Sequence, residues 1–190
     1  MTLLILGLVL FFGTHAVSIF ADPWRTAMIR RLGAGPWKGL YSLVAIAGFL
    51  LIIKGYAAAR GAPIMLYAPP TWMPHVSALL MLFVFPLVLA VYLPGRIKSA
   101  AKHPMLLGTK IWALAHLLSN GALADVLLFG SFLVWAGLDR MSMKQRAVPR
   151  HIPTAPAWKY NDAIAVVGGL LIYGVFVVWA HKAWFGVSPV

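Results

Sequence analysis

Two histidines, His15 and His116, stand inside long apolar runs of this chain. An ionisable side chain held in hydrocarbon is costly, so it marks a candidate functional position. Imidazole is the commonest metal ligand among side chains and a usual axial ligand of haem iron. Buried between helices it serves equally well as a hydrogen-bonding element. If the first run is helical, Leu8, Phe11, Phe12 and Ser18 fall near the face of His15 at spacings of three, four or seven residues. Such an apolar, aromatic wall suits a flat hydrophobic cofactor such as haem, with the imidazole directed at the iron.

The surroundings of His116 follow another pattern. Thr109, Trp112, His116 and Asn120 fall on one helical stripe, with Ala113 beside it. Small and polar residues on an otherwise lipid-like helix face the bundle interior, so His116 points inward with Trp112 and Asn120 as its companions. His103 precedes His116 by 13 residues, about 140° away around the helix. It therefore reads as an inner-interface residue that does not share an ion with His116. His75, His151 and His181 lie near the ends of apolar runs and read as anchors or loop residues. Asp125 either orients a histidine from behind or favours the first turn of its own helix. Lys110 either snorkels or meets a propionate.

Other chemistries find little support. The chain has no cysteine, which removes disulfides, thiolate catalysis and cysteine-ligated metals together. Its four acidic residues are Asp22, Asp125, Asp139 and Asp162, too few and too scattered for a multi-carboxylate metal site. Neither a Gly-x-Ser-x-Gly elbow nor a His-Glu-x-x-His pair is present.

The elements that must position the histidines follow from composition. Of the 190 residues, 62% are hydrophobic and only 11% charged, where a soluble domain has roughly a quarter charged. Crossing a bilayer takes about 20 helical residues. Spans are predicted at Thr2–Phe20, Trp37–Tyr56, Met73–Leu93 (kinked at Pro86), Pro104–Leu118, Ala122–Leu138 and Ala163–Phe185, the fourth and fifth being short. The Ser119-Asn120-Gly121 turn separates those two. Thr2–Phe20 lacks a positive leading region and reads as a retained span. The expected fold is a single all-α polytopic bundle over residues 1–190.

Charge orients the bundle. Arg25, Arg30, Arg31 and Lys38, then Arg96, Lys98 and Lys102, then Arg140, Lys144, Arg146, Arg150 and Lys159 fall in loops on one side. Only Lys54, Arg60 and Lys182 fall on the other, which puts both termini outside by the positive-inside rule. The formal charge of +12 is therefore read as loop anchors on anionic lipid, with no nucleic-acid partner. Tyr56–Pro74, rich in proline and aromatics, is expected to be an ordered outer cap, and Asp139–Asp162 a flexible inner loop. On this scheme His15 lies about 20 Å from the outer face and His116 about 18 Å from the inner one. In a core about 30 Å thick, they differ in depth by roughly 8 Å, whereas opposed axial ligands prefer similar depths.

The run Lys102-His103-Pro104-Met105-Leu106, followed by Trp112-Ala113-Leu114-Ala115-His116-Leu117-Leu118-Ser119-Asn120-Gly121 and Leu128-Phe129-Gly130, resembles the signature of the NnrU family. Phe12-Gly13-Thr14-His15 resembles its first-span histidine motif, and the likeness runs over essentially the whole chain. The resemblance implies a polytopic membrane protein associated with denitrification, at the level of nitrite and nitric oxide reduction. It also implies kinship with the plastid zeta-carotene isomerase, a membrane enzyme that holds haem b through two histidines. Those ligand positions match His15 and His116, and another histidine of that enzyme matches His103.

Three readings follow. The first is a haem-b protein of the bacterial inner membrane that supports nitrogen-oxide respiration alongside respiratory membrane proteins, with His15 and His116 as iron ligands and His103, Trp112, Phe12 and Asn120 around the cofactor. The second is an isomerase of a hydrophobic polyene. The third is a non-catalytic membrane partner or assembly factor with structural histidines.

Overall fold

The structure, a computed structural model, describes residues 1–143 and 152–189. Lys144, Arg146, Arg150 and His151, expected in the inner loop, lie outside the described residues. The chain is a bundle of helices: α1 Thr2–Phe20, α2 Asp22–Leu32, α3 Ala34–Arg60, α4 Met73–Met81, α5 Val84–Ala90, α6 Arg96–Ala101, α7 Pro104–Ser119, α8 Leu123–Met143 and α9 Asn161–Val175. After α9 the same helix continues through a π-helical turn, Phe176–Ala180, into α10, His181–Phe185.

Five stretches are long and apolar enough to cross a membrane: Thr2–Phe20, Ala34–Arg60, Met73–Ala90, Leu123–Met143 and Asn161–Phe185. Their apolar side chains, among them Val9, Leu43, Leu79, Val134, Leu171 and Val178, are largely exposed on the bundle's outside. That distribution is expected where the surrounding solvent is lipid. The predicted fifth span is not short, because the helix runs through Asp139 and Arg140 to give 21 residues. The fourth is short: α7 has 16 residues, about 24 Å of helix. The basic segment after the first span is also helical rather than a loop. In α2, Pro23 sits in the first turn with Asp22, and Arg30 and Arg31 occupy the last, so the charges complement the helix dipole.

The helices run between two ends of different character. One end carries loop 61–72, the Ser119–Gly121 turn, and both the start of α1 and the end of α10. Arg60 Nη1 donates to the Phe185 carbonyl there at 2.9 Å. The other end carries α2, α6 and the start of α9, where Asp162 accepts from the backbone amides of Arg96 and Ile97 at 2.8 and 3.0 Å. The first is called the capped end and the second the basic end.

Small residues set the tightest packing. A Cβ on Gly48 of α3 would stand 2.7 Å from the Phe11 amide nitrogen of α1, and one on Gly7 of α1 would stand 2.6 Å from the Ile52 nitrogen of α3. The two backbones therefore touch. In the third span Pro86 removes the amide that would bond to the Leu82 carbonyl, and the helix breaks into α4 and α5 at Leu82–Phe83. Loop 61–72 is ordered over the turn between α7 and α8, as a cap should be. Leu66 and Tyr67 amides donate to the Gly121 carbonyl at 2.9 and 3.2 Å, and the Leu123 amide donates to the Ile64 carbonyl at 2.7 Å.

Candidate functional site

His15 and His116 are held by the same local device on two different helices. The Nδ1–H of His15 donates to the Phe11 carbonyl at 2.7 Å, and that of His116 to the Trp112 carbonyl at 2.8 Å. A carbonyl only accepts, so each imidazole is fixed with its proton on Nδ1 and its lone pair on Nε2. A ligating histidine has this arrangement, its second nitrogen tied to a backbone carbonyl. Each ring also rests on an aromatic. His15 stacks on Phe11 at 4.2 Å between ring centroids and meets Tyr41 and Trp135 edge-on at 5.4 and 5.7 Å. His116 stacks on Phe129 at 4.5 Å, with Trp112 at 5.2 Å.

The two histidines meet α8 at different levels. His15 meets α8 at Trp135 and His116 meets it at Phe129, six residues and about 9 Å apart along that helix. This agrees with the depth difference given by the span arithmetic. Around these two levels α1, α7 and α8 are joined by ring contacts. Phe12 packs on Phe132 at 4.9 Å, Phe132 on Trp112 at 5.2 Å, and Trp112 on Phe129 at 5.1 Å. Phe12 and Trp112, expected around the cofactor, both belong to this cluster of rings. His103 precedes α7 at the basic end, a full helix length from His116 as its spacing predicted.

Each imidazole has the tautomer and the aromatic bed that would suit a haem ligand.

His116 opens on a cavity of about 180 Å³ near the capped end, bounded by α4, α7 and the π turn. Asn120 is in its wall, as the stripe predicted, with its Nδ2 donating to the His116 carbonyl at 2.9 Å. Ser77 and Ser119 join each other at 2.5 Å, and Ser77 Oγ reaches the Ala115 carbonyl at 2.6 Å. Tyr173 donates to the Ala78 carbonyl at 3.0 Å.

The unexpected member is His181. Read from the sequence as an interfacial anchor, it lines the same cavity as His116. The π turn rotates α10 relative to α9. Gly186, left-handed at φ 76°, then folds the chain end back so that His181 Nδ1–H donates to the Val187 carbonyl at 2.7 Å. No periodicity in the sequence announces an extra residue in a helical turn, so this placement had no signal to find. Asp125 takes the second of its two expected roles. It accepts from the Ala122 amide at 2.9 Å at the start of α8 and from Tyr56 Oη at 2.6 Å, touching no histidine.

A bundle of long apolar helices, with a cavity that His116 and His181 both line, has the character of a helical integral membrane protein. The chain belongs to the NnrU family, whose model, described as NnrU protein, matches residues 3–189. No curated protein and no solved structure matches it.

Proposed function

We propose that this protein serves nitrite and nitric oxide reduction in the bacterial inner membrane, through a ligand site centred on His116. The family supplies the association with denitrification. The supporting observation is the cavity in which an imidazole of fixed tautomer is set among Asn120, Ser77 and Ser119 inside an apolar bundle. In a membrane interior such a polar group is kept for function. In this reading the chain makes six passes, α7 being the short one, with the capped end and both termini outside and the basic end on the cytoplasmic lipid.

The test is a denitrifying bacterium whose own copy carries His116→Ala or His15→Ala, with membranes assayed for nitrite and nitric oxide consumption. His116→Ala should lower consumption by about tenfold or more, the scale seen when a site's ligand environment is disturbed, and His15→Ala by less. Unchanged consumption in both variants would overturn the reading. A reduced-minus-oxidised absorbance spectrum of the purified protein examines the cofactor separately. A haem b signature lost equally in both variants would assign the two histidines to one iron.

A second reading, isomerisation of a polyene, draws on a lipid-facing groove beside His15. It is about 390 Å³ in volume and is lined by Leu8, Phe12, Ser131 and Trp135. This volume lies in the range of small-molecule sites, which are lined mostly by apolar side chains. A carotenoid-producing host that expresses the chain and accumulates no isomerised product would remove that support.

A further inference from the structure

The cavity beside His116 changes character with depth. The chain enters α4 from the capped end and leaves α7 there, so position along each helix gives distance from that end. Nearest to it stand Ser77, His116, Ser119, Asn120 and His181. Deeper in the bundle the wall is Met81, Phe85, Phe176 and Val177, with the Phe85 and Phe176 rings 5.1 Å apart. The one deep hydroxyl, Tyr173, is turned to the Ala78 carbonyl. The space is a wedge between helices: α5 packs closely on both α7 and α9, whereas α9 does not pack closely on α4 or α7.

We infer that this cavity binds an uncharged amphiphile from the membrane, its hydroxyl head toward the capped end and its apolar tail toward Phe85 and Phe176. The inference rests on the reading of His116 as the working group and names the ligand class of its cavity. The lack of charge follows from the lining, which among the described residues holds no carboxylate, lysine or arginine. A charged head would be buried there without an opposite charge to pair with. The hydroxyl follows from the hydrogen bonds the wall already makes. Ser77 donates to the Ala115 carbonyl and so accepts from Ser119, while His116 and His181 give their Nδ1–H groups to the Trp112 and Val187 carbonyls. Asn120 gives one amide hydrogen to the His116 carbonyl and keeps the other. The polar end thus has lone pairs and an amide hydrogen left, and an alcohol or phenol hydroxyl both donates and accepts. A mostly apolar wall with a few polar groups at one place is the usual build of a small-molecule site. A separate feature falls at the same position. The π turn Phe176–Ala180 supplies Phe176 and Val177 to the wall, and π turns inside α-helices recur at functional sites.

The test reconstitutes the full chain in lipid nanodiscs, irradiates it with an octanol that carries a photoreactive diazirine, and maps the label by peptide mass spectrometry. Label should fall within 77–85 and 173–181, the segments that line the cavity, and should saturate. Excess plain octanol should remove it, whereas octane and octanoate at the same membrane concentration should not. Ala78→Trp, which puts a ring into the cavity, should lower labelling about tenfold, the scale of an overpacked site. Gly13→Leu, in the lipid-facing groove beside His15, should leave it unchanged. Thermal melting confirms the fold of each variant, and Met81→Trp serves the same purpose should Ala78→Trp fail to fold. Label that never saturates and spreads over all the apolar helices would overturn the inference. Equal competition by octane or octanoate, or full labelling of the filled variant, would do the same. Saturable labelling with unchanged nitrogen-oxide consumption in His116→Ala would uphold the amphiphile and defeat the denitrification reading. Lowered consumption without saturable labelling would do the reverse, so the two fail separately.

Discussion

Asp125 illustrates what a buried charge does in this protein when it does no chemistry. Its two oxygens join α3 to α8 through Tyr56 and close the first turn of α8 through the Ala122 amide. Removing the carboxylate leaves a phenol and a backbone amide without their partner, at about 1–3 kcal/mol for each buried group. Asp125→Ala should therefore lower the thermal midpoint of the detergent-solubilised protein clearly. Tyr56→Phe should add less on top of it than it costs alone, because the two share one interaction. At this scale the sequence was legible where residue type alone decides. The stripe of Trp112, His116 and Asn120 is such a case: Asn120 Nδ2 and His116 Nδ1 each bond the carbonyl four residues before them. It was illegible where another helix decides. Tyr56 as the partner of Asp125, and His181 as the companion of His116, are set by the packing of distant segments.

The helices themselves divide in the same way. Apolar length gave α1 and the final helix nearly to their ends, whereas α3 and α8 run several residues beyond the predicted spans, and the break near Pro86 followed from the missing amide. The amphipathic α2 was hidden because its polar composition resembles a loop, and the π turn because one extra residue leaves the apolar pattern unchanged. The seam between α1 and α3 can be tested directly. Gly48→Val places side-chain atoms where the Phe11 backbone already lies, so it should destabilise by about 1–3 kcal/mol or more. Gly13→Ala, with nothing within 4 Å of the new Cβ, should leave the melting temperature unchanged. The cap responds to pH instead. Tyr67 donates to the Leu117 and Asn120 carbonyls, and burial first, then the charge of Asp125, pushes its phenol above the usual value. The neutral form is thus the one the fold prefers. Its contribution is complete below the unfolded phenol's pKa of about 10 and is lost as pH rises through the higher folded value. Hydrogen exchange at Gly121 and Leu123 should accelerate in that alkaline window, and Tyr67→Phe should exchange fast already at neutral pH.

For the whole molecule, charge asymmetry is the property that composition announced best. Arg25, Arg30, Arg31, Arg96, Lys98 and Lys102 do gather at one end, opposite the cap. The chain has no cysteine, so single introduced cysteines report sidedness without background. Ala62→Cys, at the capped end, should react with an impermeant maleimide added outside intact cells, and Lys98→Cys only after the membrane is broken. Reversed labelling would invert the orientation. The histidine pairing, by contrast, was beyond reach, since it depends on which residues of α8 each imidazole meets. The shortness of α7 reaches further than its effect on counting spans. A 16-residue helix covers about 24 Å of a hydrocarbon layer about 30 Å thick, and a bilayer meets such a mismatch by thinning around the protein. His116 lies three residues from the end of that helix, about 5 Å along its axis. On the six-pass reading, thinning around α7 would draw the aqueous interface toward the imidazole, giving a small hydrophilic solute a short route from the capped side.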